Sequence, residues 1–293
     1  MSSALEFSQV VTDYISSELE AGRLMGPFLE SPFHPIRCSP MGVVPKKATG
    51  KFRIINNLSF PTGLSVNDSI SKDDFSLTYV TVDRAVERIL VLGHGCYLSK
   101  VDVQSAFRIV PVRPSQWHLL GLCWDGYMYF DKVLSMGGRS SPYIFDSIAK
   151  AAEWICINNY DVEFLIHLLD DFLSIEEKQQ NALSIIINVF RNLGIPIADP
   201  KVVGPTTCLE FLGITLDTEN MEIRLSTGKI SDLLEKLTLF QDRKKCTRKE
   251  ILSVVGSLSF ACKAIVPGRS QLSYCTERNG IGITPQNSHF PTG

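Results

Sequence analysis

Two adjacent aspartates, Asp170 and Asp171, stand between the apolar runs Phe164-Leu165-Ile166-His167-Leu168-Leu169 and Phe172-Leu173-Ser174-Ile175. Neighbouring carboxylates repel each other and lose hydration on burial, so the arrangement requires either open exposure or a compensating cation. Strand, acidic turn, strand is the economical solution. Taken alone, roughly half of such Asp-Asp turns are solvated hairpin tips, given the turn preference of Asp. A second acidic strand shifts the balance. The β-rich segment Tyr97-Leu98-Ser99-Lys100-Val101-Asp102-Val103 carries one aspartate among apolar neighbours and is followed by Ala106-Phe107. Three carboxylates on two strands able to pair side by side suit hard divalent cations, with Mg²⁺ the natural candidate.

The 293 residues are 44% hydrophobic and nearly balanced in charge, which fits a globular chain of one large or two to three small domains. Ser2 to Arg23 mixes acidic residues into a helical apolar pattern, unlike a secretion signal, and no run is long enough to span a bilayer. The eight cysteines include no C-x-x-C pair and no zinc-like Cys/His spacing. They read as reduced thiols of an intracellular protein that makes no membrane contact. The charge is unevenly spread. Ser31 to Asn67 contains no acidic residue but holds Arg37, Lys46, Lys47, Lys51 and Arg53, and Ser226 to Tyr274 has nine Lys or Arg against four Asp or Glu. Basic zones on either side of an acidic centre suit a polyanion gripped at both ends, although a pair of ordinary solvated faces has the same composition.

The periodicity predicts a helix over Leu5–Leu24, ended by Gly26-Pro27, and then a Pro-rich irregular stretch to Pro45. Met41–Pro45 and Phe52–Ile55 form a hairpin with basic residues near its tip. Val82–Leu92 is helical, Trp117–Cys123 and Tyr127–Val133 pair around Asp125-Gly126, and Pro142–Ile157 is a buried helix. A further helix places Leu183, Ile186, Ile187 and Phe190 on one face before Gly194 and Pro196. Helices alternate with hairpins, which favours an α+β fold with an antiparallel centre. Beyond Leu225 only helices are expected: Ile230, Leu233, Leu234, Leu237 and Phe240 share a face, and Thr247 with Glu250 forms a capping box. Residues 273–293 lack periodicity and read as a disordered tail.

The ordered motifs K-K-x-T-G-K-F-R, V-D-V-x-x-A-F, M-G-G-R-S-S-P-x-I-F, L-L-D-D-F-L and F-L-G resemble the reverse transcriptase family over roughly Leu24 to Leu272. Within it, segments such as R-C-S-P-M-G-V-V-P-K-K and V-V-G-S-L-S-F-A look most like DIRS-like, tyrosine-recombinase-encoding retrotransposons, with gypsy-type elements next. The resemblance implies a right-hand polymerase fold: an N-terminal lead-in over 1–40, fingers over 41–95, a palm over 96–225 and a helical thumb over 226–272. The reverse transcriptase domain proper covers roughly 41–216.

Position by position, the resemblance makes Asp102, Asp170 and Asp171 the catalytic carboxylates and metal ligands, with Val103 beside them in the metal set. Two Mg²⁺ ions, roughly 3.5–4 Å apart, would activate a primer 3′-hydroxyl and stabilise the leaving pyrophosphate, and Mn²⁺ could substitute. Lys46 and Arg53 match residues that grip the incoming triphosphate, a point charge beside a planar fork. Phe107 matches the bulky side chain under the nucleotide sugar, where it would select deoxynucleotides. Met136 and Gly137 match the turn lining the nucleotide, and a glycine there permits close backbone approach. Leu168 and Phe211-Leu212-Gly213 match the primer side. The implied partners are a primed RNA or DNA template and deoxynucleoside triphosphates.

The chain departs from the family pattern at Leu168, where a tyrosine is usual, at Ser135, where a proline is common, and at Asn57, where an aspartate is frequent. No departure removes a carboxylate. No segment resembling ribonuclease H or a recombinase is present, as expected of a truncated element copy. The sequence is thus expected to encode an RNA-directed DNA polymerase core, and its alternative is an inactive relic that only binds nucleic acid.

Overall fold

A computed structural model describes residues 2–45, 50, 52–177, 181–241, 243 and 245–265. Lys46 and the tail 273–293 lie outside the described residues. The chain divides into two compact units, Met1–Thr81 with Ser99–Val203, and Val82–Leu98 with Gly204–Gly293.

In the first unit, helices α1 (Ser2–Glu6) and α2 (Ser8–Glu20) replace the single expected helix. α2 ends because Gly22 adopts φ 68°, with its N–H on the Leu19 carbonyl at 2.9 Å and that of Arg23 on Glu18 at 2.9 Å, the double hydrogen bond of a Schellman stop. The stretch expected to end a helix and turn irregular instead contains strand β1 (Leu24–Phe28). Strands β2 (Met41–Pro45) and β3 (Phe52–Asn56) pair antiparallel as expected, from Met41 opposite Asn56 to Pro45 opposite Phe52. Val11, Ile15, Leu24, Met41, Val43, Leu122 and Tyr129 bury the apolar face of the N-terminal helices.

Helix α3 (Val82–Leu92) precedes strand β4 (Tyr97–Asp102). Strands β5 (Gly121–Trp124) and β6 (Tyr127–Asp131) form the expected hairpin, and β1 joins it in the order β1-β6-β5. The first part of the expected strand Trp117–Cys123 is helical instead, because Pro114 starts a 3₁₀ segment that runs to Leu119. The buried helix is α4 (Ser141–Tyr160), whose Phe145, Ala149, Ala152 and Cys156 fall at helical spacing and enter the core. Strands β7 (Leu165–Leu168) and β8 (Asp171–Glu176) follow, then α5 (Ala182–Asn192). The sheet runs β7-β8-β4, and its apolar face packs Val101, Leu165 and Phe172 against Phe145, Ile186 and Phe190. This packing fixes the two acidic strands side by side.

In the second unit, β9 (Val203–Thr206) precedes an antiparallel sheet of β10 (Cys208–Phe211), β11 (Ile214–Asp217) and β12 (Glu222–Leu225). Helices α6 (Thr227–Gln241) and α7 (Arg248–Ala261) close it. The apolar face expected along α6 is only partly covered. Leu233 and Phe240 are half-buried, whereas Ile230, Leu234 and Leu237 stay exposed, and α7 is the helix packed most closely against it among the described residues.

The capping box forms as the sequence predicts: Thr247 Oγ1 accepts from the Glu250 N–H, and the Glu250 carboxylate accepts from the Thr247 N–H at 2.8 Å. Those bonds and Arg243 hold the Glu250 carboxyl down at about 2. Thr247→Ala is expected to cost the first turn of α7 about 1 kcal/mol, read as faster hydrogen exchange of the amides that follow residue 247.

Candidate active site

The tight hairpin between β7 and β8 presents the acidic pair. Leu168 opposes Asp171, so the loop has only two residues, Leu169 and Asp170. Leu169 takes φ 54°, a left-handed conformation that primed hairpin turns require and that leucine rarely adopts. Asp102 closes β4 and is 5% exposed. The Val103 N–H donates to the Asp170 carbonyl at 2.9 Å, so the backbone itself ties the end of β4 to the acidic loop. The three expected carboxylates are therefore brought together.

Burial, followed by the charge of Asp102, raises the Asp170 carboxyl above its ordinary range, and Lys201 and Arg53 pull it back. Burial pushes Asp171 up to about 6; Lys100 opposes this, while Asp102 and Asp170 add to it. Asp171 lies within reach of the Asp102 carboxylate, which favours its protonated form. Cations present in the protein thus leave the cluster short of positive charge. The nearest is Lys201, whose Nζ donates to both Asp102 oxygens at 2.8 Å. That bond raises the Lys201 ammonium.

Among the described residues, no three acidic, His or Cys side chains converge tightly enough to ligate one ion. The donor chemistry nevertheless fits a hard divalent cation: the groups are all oxygen donors, and two of them are raised first by burial and further by neighbouring carboxylates, a rise that an added positive charge would counter.

The other expected residues are placed as follows. Arg53 is exposed on β3, opposite Val44, and its charge reaches Asp170. Phe107 lies in the 3₁₀ segment Ala106–Ile109, half-buried, with its ring 5.9 Å from Phe145 in an edge contact. Met136 is 38% exposed. Gly137 has φ 116°, and a Cβ there would collide with the Asn56 carbonyl oxygen. The backbone that this glycine lets approach is therefore that of β3. Asn67 completes the clamp, donating to the Gly137 carbonyl at 2.9 Å and accepting from the Arg139 N–H at 2.8 Å. Gly137→Ala is expected to cost roughly 1–3 kcal/mol from the backbone strain alone, measurable by urea denaturation. In the second unit, Phe211-Leu212-Gly213 forms the tip between β10 and β11, with φ 51° at Leu212 and 81° at Gly213.

Beside the candidate site lies a buried ion cluster that sequence reasoning missed. Arg108, next to Phe107, donates to Glu18 at 2.6 Å and to Asp131 at 2.7 Å. Arg23 caps Glu18 at 2.6 Å. Burial opposes ionisation of Glu18, but hydrogen bonds from Arg23 and Arg108 hold its carboxyl below the usual range. Burial likewise raises Asp131, and Arg108 counters that rise. Lys201 and Arg108 were invisible because Asp102 lies 99 residues from the first, and Glu18 and Asp131 lie 90 and 23 residues from the second.

No helix among the described residues is long and apolar enough to cross a membrane. No protein-family model and no curated protein matches this sequence. Solved structures do match. The foamy viral protease-reverse transcriptase "dRH in complex with ds DNA" superposes with TM-score 0.65 at 17% identity, covering 91% of this chain and 43% of that one. The foamy viral enzyme "in complex with dsDNA" gives TM-score 0.63 at 18% identity over 91% of this chain and 52% of that one. The same enzyme with RNA/DNA hybrid gives 0.61 at 18% identity over 90% and 33%. This chain therefore spans about half or less of the chains it matches. Its mixture of helices and antiparallel sheets is the fold seen in these reverse transcriptase structures.

Proposed function

We propose that the chain is the core of an RNA-directed DNA polymerase from a retrotransposon, DIRS-like by its motifs with gypsy-type elements next. It would extend a primer with deoxynucleotides. The observation that carries this reading is the gathering of Asp102, Asp170 and Asp171, two of them pushed up by burial and mutual repulsion, within a fold like that of reverse transcriptases. On this reading residues 41–95 serve as fingers, 96–225 as palm and 226–272 as thumb.

The three aspartates would hold two Mg²⁺, or Mn²⁺, with Val103 offering its carbonyl oxygen because its side chain has no donor. When bound, the ions would acidify the primer hydroxyl and neutralise the departing pyrophosphate. The other steps belong to the chain. Arg53 and Lys46 orient the triphosphate, Phe107 excludes a 2′-hydroxyl, and the Met136-Gly137 turn borders the nucleotide. Leu168 and Phe211-Leu212-Gly213 position the primer end. Lys201 aims Asp102 through its two hydrogen bonds until a stronger cation displaces it.

The test is extension of a DNA primer on an RNA template with Mg²⁺, comparing deoxynucleotides with ribonucleotides. Deoxynucleotide incorporation by the wild type that Asp170→Asn loses is the expected result. Equal signals from both would sink the reading. The Lys201 bond to both Asp102 oxygens favours one rival, an inactive relic that only binds nucleic acid. It predicts no incorporation, and binding whose log–log salt slope is roughly −0.7 to −0.9 per phosphate neutralised.

A further inference from the structure

Away from the acidic centre, two thiols meet on the surface of the first unit. Cys38 and Cys123 are both exposed and free, and the two side chains lie within each other's electrostatic reach. The backbone sets up the meeting. Residues 37–39 run beside the start of β5: the Ser39 N–H donates to the Gly121 carbonyl at 2.8 Å, the Gly121 N–H donates to Arg37 at 3.0 Å, and Cys38 pairs with Gly121 in a parallel bridge. Strand alternation puts residues 121 and 123 on one face. Because Gly121 has no side chain, the Cys38 sulfur can fold in over it; a Cβ at Gly121 would stand only 3.0 Å from that sulfur. Cys38 is thereby turned toward the next side chain on the face, which is Cys123.

Access comes from the other side. Cys123 lines a cavity of about 800 Å³, together with Leu5, Thr12, Met41 and Trp124. Cys123 is itself exposed, so small reactive molecules can reach it. Of the seven cysteines among the described residues, Cys208 and Cys246 are also exposed, but neither has a thiol partner in the structure.

We propose that Cys38 and Cys123 form a redox-modifiable dithiol, which a hydroperoxide closes into an intramolecular disulfide tying the Pro-rich lead-in to strand β5. The roles of the two sulfurs differ. Burial, followed by the neighbouring Cys123, pushes the Cys38 thiol up to about 12, so Cys38 holds its proton and Cys123 is the sulfur that meets the peroxide first. The Cys123 thiolate attacks a peroxide oxygen; the S–O bond forms, the O–O bond breaks, and the leaving oxygen departs as water after protonation. This leaves Cys123 as a sulfenic acid. Cys38 then gives up its proton and attacks the Cys123 sulfur. The S–S bond forms, the S–O bond breaks, and the released oxygen takes up that proton to leave as a second water. Two thiols and one hydrogen peroxide thus give one disulfide and two waters.

The test treats the whole reduced chain with a small excess of hydrogen peroxide, alkylates the remaining thiols and maps peptides without reduction. The expected result is a peptide pair joining residues 38 and 123, the loss of two alkylatable thiols, and their return with dithiothreitol. Cys38→Ser should stop at a Cys123 sulfenic acid that dimedone traps, and Cys123→Ser should leave Cys38 reduced at the same dose. Alkylation of both cysteines after treatment would overturn the proposal, as would a link from Cys123 to any cysteine other than Cys38. Mapping of the wild type decides the matter even if a serine variant fails to fold. None of these readouts depends on polymerase activity.

Discussion

Arg108→Met is expected to cost the first compact unit about 3–5 kcal/mol, enough to consume much of the stability of an ordinary domain. The guanidinium is 8% exposed and its carboxylate partners Glu18 and Asp131 are 5% and 1% exposed. Removing the cation leaves two buried anions facing each other, with Arg23 reaching only Glu18. The cost is the desolvation of unpaired charge, so it should shrink if the charges leave together. Replacing Glu18, Arg108 and Asp131 simultaneously by apolar residues of similar volume should cost far less than Arg108→Met alone. Urea denaturation of the two variants separates the outcomes; equal losses would mean that packing rather than charge makes Arg108 indispensable.

The acidic centre should respond in the opposite direction. Asp171→Asn is expected to stabilise the metal-free protein while lowering primer extension by more than about 10²-fold, since removal of a mere ligand-orienting partner already costs 10–100-fold. A carboxyl raised from 3.8 to about 6 is one whose charged form the fold disfavours. That rise corresponds to about 3 kcal/mol at full strength, reduced to about 1–2 kcal/mol by solvent screening at this half-exposed position. Below the unfolded value the carboxyl is protonated in both states and contributes nothing. As pH climbs toward 6 the unfolded chain has released its proton and the folded chain has not, so the wild type loses stability relative to the variant. Thermal melts in chelator from pH 3.5 to 7.5 should therefore show the gap opening with pH. Added Mg²⁺ should close it by stabilising the wild type selectively. A gap independent of pH would refute the charge argument.

The contrast between the two clusters explains how much was legible in the sequence. The acidic hairpin could be read because Asp170 and Asp171 interrupt two apolar runs, a local signal, and Asp102 sits in a segment of the same character. The Thr247 cap and the Asp125-Gly126 turn were legible for the same reason. Strand β1 was not: Gly26-Pro27 signals a break, yet it falls at an irregularity between Met25 and Phe28 where the ladder does not need the proline N–H. Glu18, Arg108 and Lys201 carry no local signal, because each looks like an ordinary surface charge until a distant segment folds onto it. The face of α6 was overread, since helical periodicity shows which residues could be buried and not how many neighbours arrive to bury them.

The two-residue loop between Leu168 and Asp171 also constrains the gene that encodes it. Successive strand residues point to opposite faces, so adding or deleting one codon between β7 and β8 would either force a different turn or slip the pairing by one residue, and that slip would turn every later side chain of β8 over and carry Asp171 away from Asp102. A substitution at Leu169 changes only which residue bears the left-handed backbone, and a glycine there would relax it. Heritable variation at this tip is therefore expected in residue identity and not in length. In any set of related sequences, a change of loop length would mark those in which the acidic pair is placed differently.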